Sequence, residues 1–154
     1  GRFDPDEPLT RAMFATIIYR MEGSPTAYFN AKFPDVPFGN YFSVPISWAN
    51  NNGIINGHSN TGLFGTYENI TREDLVTILF RYTKYRGKKI TGSSALMQFP
   101  DAGTISGYAI PAMQWAVANG IVSGRSNTGL LDPKGNATRV ECAAMIQRYR
   151  NNIK

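Results

Sequence analysis

One word, written three times, carries most of the chemistry open to this sequence: Thr10-Arg11, Thr71-Arg72 and Thr138-Arg139. Three residues after the threonine stands an acid in two copies, Asp74 and Glu141, and Met13 in the other. A threonine followed by an acid at this distance forms a capping box or a close relative of one, so both residues have a structural reason to be present. The arginine has no such reason. Capping makes no use of it, and a planar guanidinium is suited to paired, charge-assisted hydrogen bonds with a carboxylate.

Other chemistries are poorly served. His58 is the one histidine, and its copy in the last part of the chain is Arg125. It therefore reads as a polar loop position facing a ligand, because a nucleophile relay needs a base held by a third group and no histidine recurs. A single cysteine, Cys142, excludes an internal disulfide and a cysteine-based metal site. It falls on one helical face with Met145, Ile146 and Tyr149 and is expected to pack as a small apolar residue. Glycan hydrolysis needs two carboxylates facing each other across a sugar, about 5 to 10 Å apart. The repeated acids Asp35 and Asp101 belong to different copies, and each follows a proline where a turn is its plain role. No catalytic group, cofactor or metal is expected.

The elements that must position these groups are themselves repeated. Trp48 and Trp115, Gly57 and Gly124, Thr71 and Thr138, and Arg81 and Arg148 are all 67 positions apart. Phe3-Asp4-Pro5, Thr10-Arg11 and Arg20 match Phe64, Thr71-Arg72 and Arg81 at an offset of 61. A fixed period of this kind marks units that bury their faces on one another. The chain accordingly divides into the second half of a first repeat at 1–23, a linker at 24–32, a second repeat at 33–86, a polar linker at 87–98 and a third repeat at 99–154, all within one domain. The spacing of Met13, Phe14, Ile17, Ile18 and Met21 predicts a helix over about residues 11–22. Pro45 and Asn52-Gly53 bracket a short helix carrying Trp48, with a copy around Trp115 ending at Asn119-Gly120. Thr71 and Thr138 start two longer helices, the second ending near Arg150. In the first of these Leu75, Ile78, Leu79 and Tyr82 form the inner stripe, and Arg72, Lys84 and Arg86 are expected to face water. Arg20, Arg81 and Arg148 sit at the ends of their helices, where a cation favours the dipole.

The whole chain of 154 residues is 42% hydrophobic and 12% aromatic, enough for a real core, and no apolar run approaches the roughly 20 residues of a membrane span. Its net charge of +5 favours an anionic partner, but the sixteen Lys and Arg are scattered, which supports nucleic acid only weakly.

The order Phe-Pro-Asp, helix with Trp-Ala, Gly-Ile-(Ile/Val)-x-Gly, glycine-rich loop and Thr-Arg-x-(Glu/Asp) resembles the S-layer homology (SLH) repeat of bacterial surface proteins. Two full copies and part of a third cover nearly the whole chain. The resemblance implies a mainly α, pseudo-threefold domain shaped like a three-pronged spindle. Grooves between its prongs would bind an anionic secondary cell-wall polymer, often through a pyruvate ketal on an amino sugar, and so hold an exported protein on the cell surface without a covalent bond. Carried onto this sequence, the binding arginines are Arg11, Arg72 and Arg139, and the tryptophans Trp48 and Trp115 offer an indole face to a sugar ring. Gly57 and Gly124 let a sugar approach the backbone, Asp35 and Asp101 accept its hydroxyls, and His58 and Arg125 stand beside it. Met13 and Asp74 depart from the family's Thr-Arg-Ala-Glu, which weakens the first groove most. A fused upstream cargo domain is expected. A protein-interaction or self-assembly module using the same grooves is the alternative. Arg72 and Arg139 both turned inward and already neutralised by neighbours would leave no vacancy for a carboxylated guest, and the anchoring reading would then fail.

Overall fold

In the computed structural model, which describes residues 4–154, each capping threonine works as its spacing predicts. The Oγ1 atoms of Thr10, Thr71 and Thr138 accept from the amides of Met13, Asp74 and Glu141 at 3.1–3.2 Å. In the third copy the box is reciprocal, with Thr138 N donating to Glu141 Oε1 at 3.0 Å. Behind these caps run α1 (Arg11–Met21), α3 (Arg72–Tyr85) and α5 (Arg139–Asn152), and between them lie the shorter α2 (Ser43–Asn51) and α4 (Ile110–Ala118). Helix α2 begins two residues before Pro45, and α5 runs two residues past Arg150. Both short helices end in glycine, Gly53 at φ +71° and Gly120 at φ +69°, a left-handed conformation that costs glycine little. The chain is mainly α, as expected. Among the described residues there are isolated β-bridges and no strand. None of the described helices is long and apolar enough to cross a membrane. Phe3, matched above to Phe64, lies outside the described residues.

The chain forms two compact units: a smaller one, Thr10–Asn69, and a larger one made of Ile70–Lys154 with the segment ending at Leu9. In the smaller, α1 packs on α2, burying Phe14, Ala15 and Ile18 with Ile46 and Ala49, while Tyr19 stands edge-on to Trp48 at 5.5 Å. Leaving the Trp48 helix, Ile54 and Ile55 are also fully buried, and Phe64 closes the core against Phe33. In the larger, α3 packs on α4, and Tyr149 of α5 reaches both Tyr82 and Trp115. Cys142 is buried as its helical face requires, and burial pushes its thiol up to about 12, so it is an inert core residue.

The residue before each capping threonine has a shared task inside the larger unit. Leu9 N donates to Ala137 O, Ala137 N to Ile70 O, and Ile70 N to Leu9 O, at 3.0, 3.0 and 2.7 Å, a closed ring of three backbone hydrogen bonds. All three side chains are buried, so the ring satisfies amides that would otherwise lie in the core without partners. The repeat is thus expressed as a local threefold junction.

Candidate functional site

The arginines after the threonines are structural ties before they are anything else. Arg11 Nε donates to Phe64 O at 3.0 Å and its Nη2 to Asn56 O at 2.8 Å, both within the smaller unit. In the larger unit Arg72 does the same at positions 67 further on, from Nε to Leu131 O at 2.7 Å and from Nη2 to Ser123 O at 3.2 Å. Each guanidinium therefore clips together the two ends of a glycine loop, using a fork of donors that lysine lacks. The expectation that Arg72 faces water is corrected. It is 3% exposed, and its Nη1 is paired with Glu141 Oε2 at 2.8 Å. A helix's first turn lies beneath the loop it anchors, so the residue after the cap points into the body of the unit. Burial and the neighbouring Arg125 charge pull the Arg72 guanidinium below its ordinary value, and Glu141 works against them. For Glu141 burial acts upward, but the Thr138 amide and the charges of Arg72 and Arg125 together outweigh it and hold the carboxyl below the usual range.

Arg139 is placed differently. It is half-buried, with Nη2 3.4 Å from Glu7 Oε2, while its buried Nε has no hydrogen-bond partner among the described residues. The position that would answer Phe64 and Leu131 in its copy is Phe3, outside those residues.

The other expected contacts also turn inward. Trp48 is 4% exposed and Trp115 1%, so neither indole is an open platform for a sugar. Asp35 accepts from the amides of Phe64, Gly65 and Thr66 at 2.8, 2.8 and 3.1 Å, and Asp101 from those of Leu131 and Asp132 at 3.0 and 2.8 Å. These carboxylates hold the far ends of the loops. Burial alone would raise Asp35, yet the three amides together hold it below its ordinary value. A Cβ on Gly57 would run into the Phe33 ring and come within 2.9 Å of Leu63 O, and one on Gly124 within 2.6 Å of Gly129 O. The glycines let the loop fold on itself.

Among the described residues, these ties support a cavity in each unit. That of the larger unit, about 260 Å³, is lined by Arg72, loop residues 122–126, Glu141, Ala144, Met145 and Arg148. Arg125 on its wall pairs with Glu141 and, at 2.9 Å, with Asp132. Arg148 is exposed, donates weakly to Ile121 O at 3.5 Å, and makes no ion pair among the described residues. Three guanidiniums thus face one lining carboxylate, and the cation left over is Arg148. The sequence reading missed this residue because the helix dipole already explained it; its spacing from Glu141 and Met145 on one helical face was the available signal. The smaller unit's cavity, about 540 Å³, is lined by Lys32, Phe33, Asn50, Asn56, Gly57, His58, Ser59 and Gly62. Here His58 takes the position of Arg125 and meets Glu68 Oε1 at 3.1 Å. The structure therefore brings Arg72, Gly124 and Arg125 to one cavity and Gly57 and His58 to the other. Trp48, Trp115, Asp35 and Asp101 line neither.

Residues 98–143 match the family model of the S-layer homology domain. The chain is 32% identical over 149 residues to an amylopullulanase of Thermoanaerobacterium thermosulfurigenes, covering 94% of this chain and 8% of that protein. It is 31% identical over 149 residues to exoglucanase XynX of Acetivibrio thermocellus, covering 94% of this chain and 13% of that protein. To the surface-layer 125 kDa protein of Lysinibacillus sphaericus it is 29% identical over 160 residues, which cover 99% of this chain and 13% of that one. It spans only a small fraction of the length of the relatives it matches. With the repeated cap, clip and loop geometry beside these matches, residues 98–143 are an S-layer homology domain, and the copy before them is built on the same frame.

Proposed function

We propose that this domain anchors a surface protein to the cell wall by binding an acidic saccharide of a secondary cell-wall polymer in the larger unit's cavity. Such domains occur in cell-surface proteins and generally serve as cell-wall anchors. The observation that carries the finer reading is the excess of guanidinium over carboxylate in that cavity, with Arg148 unengaged by any ion pair among the described residues. A carboxylate such as a pyruvate ketal would be held by Arg148, with the Arg125 guanidinium beside it. Arg72, buried and paired, sets the floor and makes no direct contact. Ser123 and Ser126, exposed on the rim, suit sugar hydroxyls. The role is binding, not turnover, and the catalytic names of some relatives belong to the remainder of their much longer chains. A surface protein carrying this domain would be exported and would hold its other domains at the wall.

Calorimetric titration with purified wall polymer, before and after removal of its acidic groups, tests the reading. Arg148→Ala is expected to weaken binding about ten- to hundredfold, the loss of one charge-assisted contact of about 1.5–3 kcal/mol. Binding that survives both Arg148→Ala and removal of the acid groups overturns it.

A further inference from the structure

Away from its cavity, the smaller unit exposes aromatic rings that its core does not need. Tyr41 is 60% exposed and Tyr67 75%. Both stand edge-on to the buried Phe42, at 5.1 and 5.9 Å and at 77° and 87°, so their centroids lie within about 11 Å of each other. The rings sit on loops that are tied down. Ser43 Oγ donates to Pro37 O and accepts from Asn40 N, and Thr66 Oγ1 donates to Asp35 O while its amide meets the Asp35 carboxylate.

The corresponding positions in the larger unit show what is unusual here. Tyr108, the copy of Tyr41, gives its hydroxyl to Asp74 and Glu73, and Lys134, the copy of Tyr67, pairs with Glu73 at 3.3 Å. Ser106 adds its amide and hydroxyl to the same Glu73 carboxylate, completing a polar network. In the smaller unit the copies of Glu73 and Asp74 are Ala12 and Met13. Without those carboxylates, the hydroxyls of Tyr41 and Tyr67 make no hydrogen bond among the described residues, and both residues are largely open to solvent.

We propose that Tyr41 and Tyr67 form a second saccharide-binding surface, a platform that stacks on the rings of a neutral pyranose chain. Flat aromatic faces match the C–H faces of pyranose rings, and phenol hydroxyls meet sugar hydroxyls. The exposed residues next to them in sequence, Asn40, Glu68 and Asn69, are polar and can add hydrogen bonds to sugar hydroxyls. A protein hot spot instead needs a continuous apolar centre sealed from water. Charge selects the class of sugar. The cation that the larger unit carries at this position, Lys134, is replaced by Tyr67, and the charged neighbour that remains is Glu68, so an acidic sugar is disfavoured and a neutral one admitted. The surface is independent of the cavity proposed above for the acidic saccharide.

The test uses the whole chain with 13C-labelled tyrosine rings, titrated with cellotetraose and chitotetraose to millimolar concentration. Resonances of Tyr41 and Tyr67 are expected to shift together on one binding curve, while that of Tyr108 stays in place. Tyr67→Ala and Tyr41→Ala should each weaken the binding at least fivefold, and Tyr67→Phe should keep more of it than Tyr67→Ala. Both residues are exposed, so the fold tolerates these changes, which circular dichroism checks. Arg148→Ala should leave this binding intact, separating it from the cavity. Ring shifts absent with both sugars, or reproduced without sugar by raising the protein concentration, overturn the proposal, the second by showing self-association instead.

Discussion

The glycine loop of the smaller unit and its copy in the larger share a backbone and differ in charge. His58 N donates to Leu63 O and Gly62 N to His58 O, both at 2.8 Å; Arg125 N donates to Leu130 O at 2.8 Å and Gly129 N to Arg125 O at 2.7 Å. Arg11 clips the first loop and Arg72 the second, through carbonyls at matching positions. On that common frame one cavity is offered a histidine beside Glu68 and the other three arginines around Glu141. The residues identical between the copies, Thr, Arg, Gly, Asp and Trp, are those that build and hold the loop. Among the loop positions that line both cavities, the ones that change are Asn56 to Ser123 and His58 to Arg125.

If this division is right, the largest effects on stability come from the invariant word. Arg72→Ala removes a buried ion pair and two carbonyl contacts at once and should cost about 3–5 kcal/mol in chemical denaturation. Arg72→Lys should recover little, since a single ammonium cannot meet Leu131 O, Ser123 O and Glu141 in one geometry. A loss below 1 kcal/mol would mean that the clip is incidental and that the arginine stands after each threonine for a ligand.

A smaller effect separates the two loop anchors. Asp35 holds three amides and Asp101 two, because the position of Thr66 is taken in the larger unit by Pro133, which has no N–H to give. Asp35→Asn should therefore cost about 1.5–3 kcal/mol at neutral pH and Asp101→Asn less. The folded value of Asp35 is depressed, so its contribution is present above the unfolded carboxyl range near pH 4 and disappears as pH falls through the folded value. Urea midpoints measured from pH 7 down to pH 2 should converge for Asp35→Asn and the unaltered chain at the acid end. Parallel curves would show that the carboxylate's charge contributes nothing.

Much of this architecture was legible without coordinates. Thr10, Thr71 and Thr138 cap where the spacing puts them, the glycines after Asn52 and Asn119 end their helices, and the apolar stripe from Leu75 to Tyr82 is the inner face. What the period could not tell is where the ends of Arg72 or Asp35 go. Their partners lie 51 to 69 residues away for Arg72 and about 30 for Asp35, and a helical pattern names the side of a helix that is apolar without saying what covers its first turn. The burial of Trp48 and Trp115 was equally open, since an amphipathic helix places an indole at the core or at its edge with the same spacing. Arg148 was hidden for the opposite reason, a bland explanation sufficient in itself.

The smallest and sharpest effect exchanges the cavity-facing residues themselves. Arginine holds its charge across the accessible range, whereas histidine gains its own between pH 5 and 8. Arg125→His should therefore weaken binding of the acidic polymer about three- to tenfold at pH 7.5, about 1 kcal/mol, and regain part of it by pH 5.5. Arg125→Gln should show the loss without the recovery. Glu141 and Asp132, the present partners of Arg125, are unchanged in both variants and remain to pair with a protonated imidazole in the histidine one, so the comparison isolates charge from loop shape. Calorimetry at the two pH values decides it. If the histidine variant binds the polymer equally at both, or the glutamine variant recovers as well, then the cavity-facing position is not where this repeat sets its charge, and the separation of frame from chemistry drawn between the two loops fails.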